Sequence, residues 1–222
     1  LKNWYEPFKD HPNMVLACTL ARQLNNTDSL KEIGFPESWN PKEVEKVLSS
    51  RCARGEKNFS AAYMITGTLG GTKIQQIVYK VCDQIYRKAP IPDTRSMQNT
   101  SKFLKPFNGF GDFIAGQVVA DLRWAISGSW EDKDSWAPIG PGSRRGLGRY
   151  LEAHSPEHRK IAVLSPGKFY YEFPRAMDWI RKRLKIPDME AMDFQNCLCE
   201  WDKYERTLHG EGRPKQLYNG VQ

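Results

Sequence analysis

No apolar run in the 222 residues comes near the roughly 20 that a membrane-spanning helix needs, so a helical span is not expected. No signal-peptide pattern opens the chain, and residue 1 is Leu rather than Met. The expectation is a segment of a longer, intracellular protein, in cytoplasm or nucleus and not secreted. Cysteine is sparse and odd in number: Cys18, Cys52, Cys82, Cys197 and Cys199, with no Cys-x-x-Cys pair. That argues against a disulfide framework or a zinc finger, and for a reducing compartment. The histidines, His11, His154, His158 and His209, lack metal-ligand spacing, and Pro156 interrupts the i, i+4 pair. No metal is expected. No two alternating runs flank a hairpin turn, so a sheet is not expected either. Gly67-Thr68-Leu69-Gly70-Gly71-Thr72-Lys73 has the wrong spacing for a phosphate-binding loop, and no strand precedes it. A phosphoryl-transfer domain would therefore lie outside this chain.

What is present suits a helical protein. Hydrophobic residues make up 40% and aromatics 12%, enough for one large domain or two small lobes sharing a cleft. A formal net charge of +7 favours a polyanionic partner through counterion release, though a surface excess of Lys and Arg would read the same way. Apolar residues recur at helical spacing in five stripes: Val15 to Leu24, Ile74 to Ile85, Ala115 to Ile126, Met177 to Leu184, and Cys197-Trp201-Tyr204-Leu208. Each reads as ordinary core. Pro90 and Pro92 end the second stripe and Pro187 the fourth. The segment 127–137, with three carboxylates and two tryptophans, reads as a long connection.

The most informative stretch runs from Pro106 to Leu122. Gly109 and Gly111 flank Phe110 between two helical runs, and glycine permits a tight turn there. Phe110 is expected to plug the turn into the core, while Ala115 and Gly116 let the helices approach. The first amides of the second helix then face outward as a phosphate site. Downstream, Gly140-Pro141-Gly142-Ser143-Arg144-Arg145 opens another helix, with Ser143 as the expected N-cap. Arginines in a first helical turn oppose the helix dipole unless an anion shares the site. A solvated arginine pair is the alternative reading.

The hairpin resembles the helix-hairpin-helix motif of DNA glycosylases, placed here at about residues 98–126. The whole chain, 1–222, then reads as one all-α, glycosylase-like domain of two helical lobes around a cleft. The catalytic aspartate such glycosylases carry after the hairpin helix is not evident; Pro141 stands near that place, with Asp132 and Asp134 in a different loop. The lysine of bifunctional members is also missing, and Asp112 and Phe113 occupy its neighbourhood.

More closely, the chain resembles the α-glutamyl/putrescinyl thymine pyrophosphorylase family, which shares its helical domain with 5-hydroxymethyluracil DNA kinases. The residues that carry this are Leu20 to Asn25, Ala62 to Gly67 with Lys73, Gly109 to Leu122, and Gly140 to Arg149 with Asn196 to Arg206 and Gly210 to Lys215. The resemblance implies an enzyme that takes a flipped, pyrophosphorylated 5-hydroxymethyluracil in double-stranded DNA. An amine donor, an amino acid or polyamine, would displace pyrophosphate. A glycosylase for a modified pyrimidine and a non-catalytic reader within a larger DNA-modifying protein remain as alternatives.

On this resemblance Gly142, Ser143, Arg144, Arg145 and Arg149 would hold pyrophosphate or a DNA phosphate. Asn108, Gly109, Phe110, Gly111 and Gln117 would grip DNA, and the hairpin could hold a monovalent cation; no other cofactor is required. Arg22, Gln23 and Asn25 would read the flipped base, or merely cap a helix. Glu200 or Asp202, with Lys203, would deprotonate the amine, although such spacing usually marks a surface ion pair. Gln117 and Asp121 share a helix face that reads as solvent-facing rather than cleft-facing.

Overall fold

The computed structural model describes residues 2–60, 69–89, 95–153 and 163–211. They are helical, with no strand among them. The helices are α1 (Lys2–Tyr5), α2 (Met14–Leu24), α3 (Thr27–Ile33), α4 (Pro41–Ala53), α5 (Lys73–Gln75), α6 (Asp83–Lys88), α7 (Met97–Leu104), α8 (Asp112–Ala125), α9 (Pro141–Ala153), α10 (Pro166–Leu184) and α11 (Ala191–Leu208). A 3-10 turn follows α1 at Glu6–Phe8, and a π-helical stretch, Gln76–Cys82, joins α5 to α6. Two compact units result, Leu1–Asp132 and Lys133–Gln222. Among the described residues no helix is long and apolar enough to cross a membrane, and no cluster of three His, Cys, Asp or Glu could hold a metal.

The first unit is built around α2. Every residue of that helix is buried except Arg22. It packs against α8, the π-helical stretch, α6 and α3. Polar side chains set the ends of its neighbours. Asn26 caps α3 and Asn40 caps α4, each accepting from two backbone amides. Thr72 and Gln75 form a reciprocal capping box on α5. Ser96 caps α7, and Asp132 adds to it by accepting from the amides of Met97 and Gln98 at 2.7 and 2.9 Å. The 127–137 segment is a connection as expected; its Trp130 and Trp136 are buried.

In the second unit α9 and α11 share the main interface, and α10 adds a layer of stacked rings. Phe169 and Phe173 stack at 5.0 Å, and Phe173 meets Phe194 at 5.0 Å. The close approach of α9 and α11 depends on Gly146. A Cβ there would stand 2.1 Å from the carbonyl oxygen of Leu198, which is backbone and cannot step aside.

Two expectations need correction in this unit. Helix α9 begins at Pro141, so Ser143 lies inside its first turn and is no N-cap. Its hydroxyl instead bonds back to Gly140, accepting from the amide at 3.1 Å. The Cys197-Trp201-Tyr204-Leu208 stripe is not the core face of α11. Tyr204 is 63% exposed and Leu208 62%. The buried face is offset by one residue and holds Phe194, Gln195, Leu198 and Asp202. Two polar side chains on that face, Gln195 and Asp202, mask it in an apolar pattern. Gly146→Ala is expected to lower the unfolding free energy by about 1–3 kcal/mol, the range of an overpacked core site, read from a lower urea midpoint. Gly167→Ala, where an added Cβ meets nothing within 4 Å, serves as the control.

Candidate functional site

The hairpin of the first unit turns between α7 and α8. Backbone amides of Phe107 and Phe110 donate to Leu104 and Phe107, both at 3.1 Å. Gly109 takes φ +76°, and a Cβ on it would stand 2.6 Å from Cγ2 of Val81 in the π-helical stretch. Gln84 Nε2 donates to the Asn108 carbonyl at 3.0 Å and pins the turn from the same side. Gly111 differs: its backbone is extended, at φ −159°, and a Cβ would meet nothing within 4 Å. Only Gly109 is required as glycine.

Phe110 is half-buried rather than a fully buried plug: it lies edge-on to Phe107 at 6.4 Å, and Phe107 lies edge-on to Phe103 at 5.5 Å. The contact that seats the turn is Gly109 against Val81. Helix α8 then opens with Gly111 as cap, which has no side chain to satisfy the first amides. Together with the helix dipole they form an anion-ready end, on which Asp112 is held by Lys105. Gln117 is half-buried one turn further on.

The three residues near the end of α2 part company. Arg22 donates from Nε and Nη2 to both carboxylate oxygens of Asp121, each at 2.6 Å. The side chains are only 15% and 9% exposed, so this is a buried fork-on-fork pair joining α2 to α8. Burial pushes the Asp121 carboxyl up, against the opposing pull of Arg22. Burial, with the Asp121 charge second, also pushes the Tyr5 hydroxyl up to about 12. Asn25 ends α2 in the left-handed region and donates from Nδ2 to Ser60 Oγ at 2.7 Å.

Gln23 is buried, at 2% exposure, and among the described residues neither Oε1 nor Nε2 has a hydrogen-bond partner. An unpaired buried carboxamide is costly and calls for a reason. Asp121 faces the interior, not solvent as expected. Its place among Val118, Leu122 and Ala125 is the sequence signal that could have revealed this.

In the second unit the expected phosphate residues meet carboxylates of their own chain. Arg145 donates from Nε and Nη2 to Asp202 Oδ2 at 2.9 and 2.7 Å. Arg149 donates from Nε to Asp202 Oδ1 at 3.2 Å and also pairs with Glu211. Arg144 donates to the carbonyl of Leu164. Gly142 lies against Cys199, whose thiol is pushed up by burial. Asp202, with its side chain 1% exposed, is thus the hub of two guanidiniums, a role not anticipated.

The expected trio on α11 is therefore split. Asp202 faces α9, while Glu200 and Lys203 pair with each other on the solvent face at 2.6 Å, 58% and 67% exposed. Glu211 lies near the end of the described residues; Gly212 to Lys215, Ala62 to Gly67, His154 and His158 lie outside them.

Compared with known proteins, residues 6–213 match the family described as 5-hmdU DNA kinase, helical domain. No curated protein and no solved structure matches the chain.

Removing one partner of a buried ion pair leaves an uncompensated charge, which costs about 3–5 kcal/mol. Asp202→Asn takes its carboxylate from Arg145 and leaves Arg149 with Glu211 alone, and is expected to lose stability toward the lower end of that range. Glu200→Gln, on the solvent face, is expected to change it by less than about 0.5 kcal/mol. Chemical denaturation of both variants checks the contrast.

Proposed function

The chain belongs to the 5-hmdU DNA kinase helical-domain family, and from that premise we propose that it holds DNA and displays a thymine-derived base, 5-hydroxymethyluracil, for modification. A base inside a duplex is out of reach, so it must leave the stack to be acted on. The glycine-turned hairpin supplies the grip: α8 offers uncapped amides to a backbone phosphate, and the exposed rings of Phe103 and Phe113 flank them.

Gln23 is the observation that carries the base-reading half of this proposal. A carboxamide sets a donor beside an acceptor, the complement of the N3–H and carbonyl edge of a uracil ring. Its two polar atoms are unspent, and the Arg22–Asp121 fork next to it ties the same helix to the hairpin helix. Gln23 is closed to solvent as the chain stands, so DNA binding must open that place for a base to enter.

A second reading extends the first to chemistry. Here an amine displaces pyrophosphate from the base's exocyclic methylene, with Gly142 to Arg145 and Arg149 taking the leaving group. Two guanidiniums already held side by side by Asp202 favour it, and Glu211 is the outer carboxylate that pyrophosphate would replace on Arg149. Glu200 and Lys203 lie on the opposite face of α11 from that pocket, so in this scheme the proton of the attacking amine passes to water. Incubating pyrophosphorylated 5-hydroxymethyluracil DNA with a panel of amines tests it. A base whose mass changes by the amine gained less the pyrophosphoric acid lost, with pyrophosphate released, is expected; release of a free base or no change refutes it.

Gln23→Leu keeps the volume and deletes the carboxamide. Because the lost group is buried and unpaired, the variant is expected to be as stable as the parent or more so. Its preference for thymine-derived over cytosine-derived bases should nevertheless fall, by the roughly 1–3 kcal/mol that one good pair of base contacts contributes. Thermal melting and competition binding with two otherwise identical duplexes check both halves. A destabilised variant with intact selectivity contradicts the reading.

A further inference from the structure

Helix α10 buries one face, with Phe169, Phe173, Ala176 and Met177, and turns another to solvent. The open face is unusual for a solvated helix because it carries large rings. Tyr171 is 62% exposed and Trp179 46%. Eight residues separate them, about 12 Å along a helix axis and roughly 80° around it, so they stand on adjoining parts of the exposed surface. Cations lie between and around them. The helix has five, Lys168, Arg175, Arg181, Lys182 and Arg183, against two carboxylates, Glu172 and Asp178.

Arg181 and Lys182 are accounted for within the unit. Arg181 donates to the Met189 carbonyl and pairs with Asp134, and Lys182 pairs with Asp178 at 2.7 Å. Arg175 is different: its guanidinium lies over the Tyr171 ring, 3.7 Å from the centroid, and donates to the Tyr171 carbonyl at 3.1 Å. It is held flat on an exposed ring. Among the described residues no ion pair holds Lys168 or Arg183.

We infer that this face of α10 is a binding surface for unpaired DNA. The charge excess matches a phosphate backbone, and the rings match the bases. A guanidinium stacked on a tyrosine is a flat cationic platform on which a base can lie. A duplex keeps its base faces in its own stack, so only unpaired nucleotides can use such rings. Modification of a base in DNA generates them, since a base that leaves the duplex unpairs its partner. The inference thus rests on the proposed DNA-handling role but uses residues that role does not.

The test is fluorescence anisotropy with a labelled thymine-rich oligonucleotide, single-stranded and as the duplex with its complement. The double variant Tyr171→Ala with Arg175→Ala removes the platform from solvent-exposed positions. Thermal melting verifies that it remains folded. It is expected to lose about tenfold or more in affinity for the single strand, as loss of a stacked base implies. Duplex affinity should stay within about twofold. Tyr171→Phe, which keeps the ring, should restore single-strand binding when paired with intact Arg175.

Unchanged single-strand affinity in the double variant overturns the inference, as does a parent chain that binds no single strand. An equal loss on the duplex also overturns it, since α10 would then be a general phosphate contact. Repeating the measurement with 5-hydroxymethyluracil in place of thymine and with cytosine separates the two proposals. Equal affinity for all three bases sinks base reading but leaves the α10 surface standing.

Discussion

One buried ion pair organises the first unit. Arg22 and Asp121 face each other as fork on fork, nearly shut from water, and join the central helix to the helix that leaves the hairpin. Isolated charges could not persist at such burial, so each requires the other. The consequence is positional. Helix α2 cannot slide or rotate against α8 without breaking two short hydrogen bonds, and Gln23, the next residue along, is carried with it. A carboxamide with no partner is held where the helix pair dictates, not where its own polarity would take it.

The second unit reaches a comparable rigidity by different means. Gly146 lets α9 settle onto the backbone of α11, and Asp202 then receives Arg145 and Arg149 from the same face of α9. Arginines near the head of a helix do invite an anion, as their opposition to the dipole requires. The anions present are the chain's own, Asp202 and Glu211. Any phosphate ligand there must compete with Asp202 at the centre or replace Glu211 at the edge, and the edge is the more accessible.

Much of this was legible in the residues because helical periodicity reports burial directly. The stripes on α2 and α8 and the glycine turn at 109 correspond to real elements, whereas on α10 the expected Met177 to Leu184 stripe is only partly core: Leu184 is 60% exposed and the buried face runs through Phe169, Phe173, Ala176 and Met177. Legibility failed where a polar residue took a core position. Asp121 and Asp202 break apolar patterns that are otherwise regular, and a pattern of hydrophobicity cannot show that a distant arginine neutralises each. It failed again on the outer face of α11, where Tyr204 and Leu208 lie in solvent: hydrophobic character indicates the interior only on average. Gly111 shows a third limit, since a glycine in extended backbone carries no conformational message. The unpaired state of Gln23 has no sequence signature at all, because it depends on what every neighbour lacks.

The central claim is that Gln23 meets a thymine-derived base when DNA is held. Its side-chain amide gives a resolvable NMR signal, assignable by comparison with Gln23→Leu. On titration with DNA carrying 5-hydroxymethyluracil, that signal should shift as its N–H gains a carbonyl acceptor on the base. The same DNA with a cytosine-derived base should leave it in place. A Gln23 signal indifferent to both, while the hairpin amides respond to each, would contradict the account.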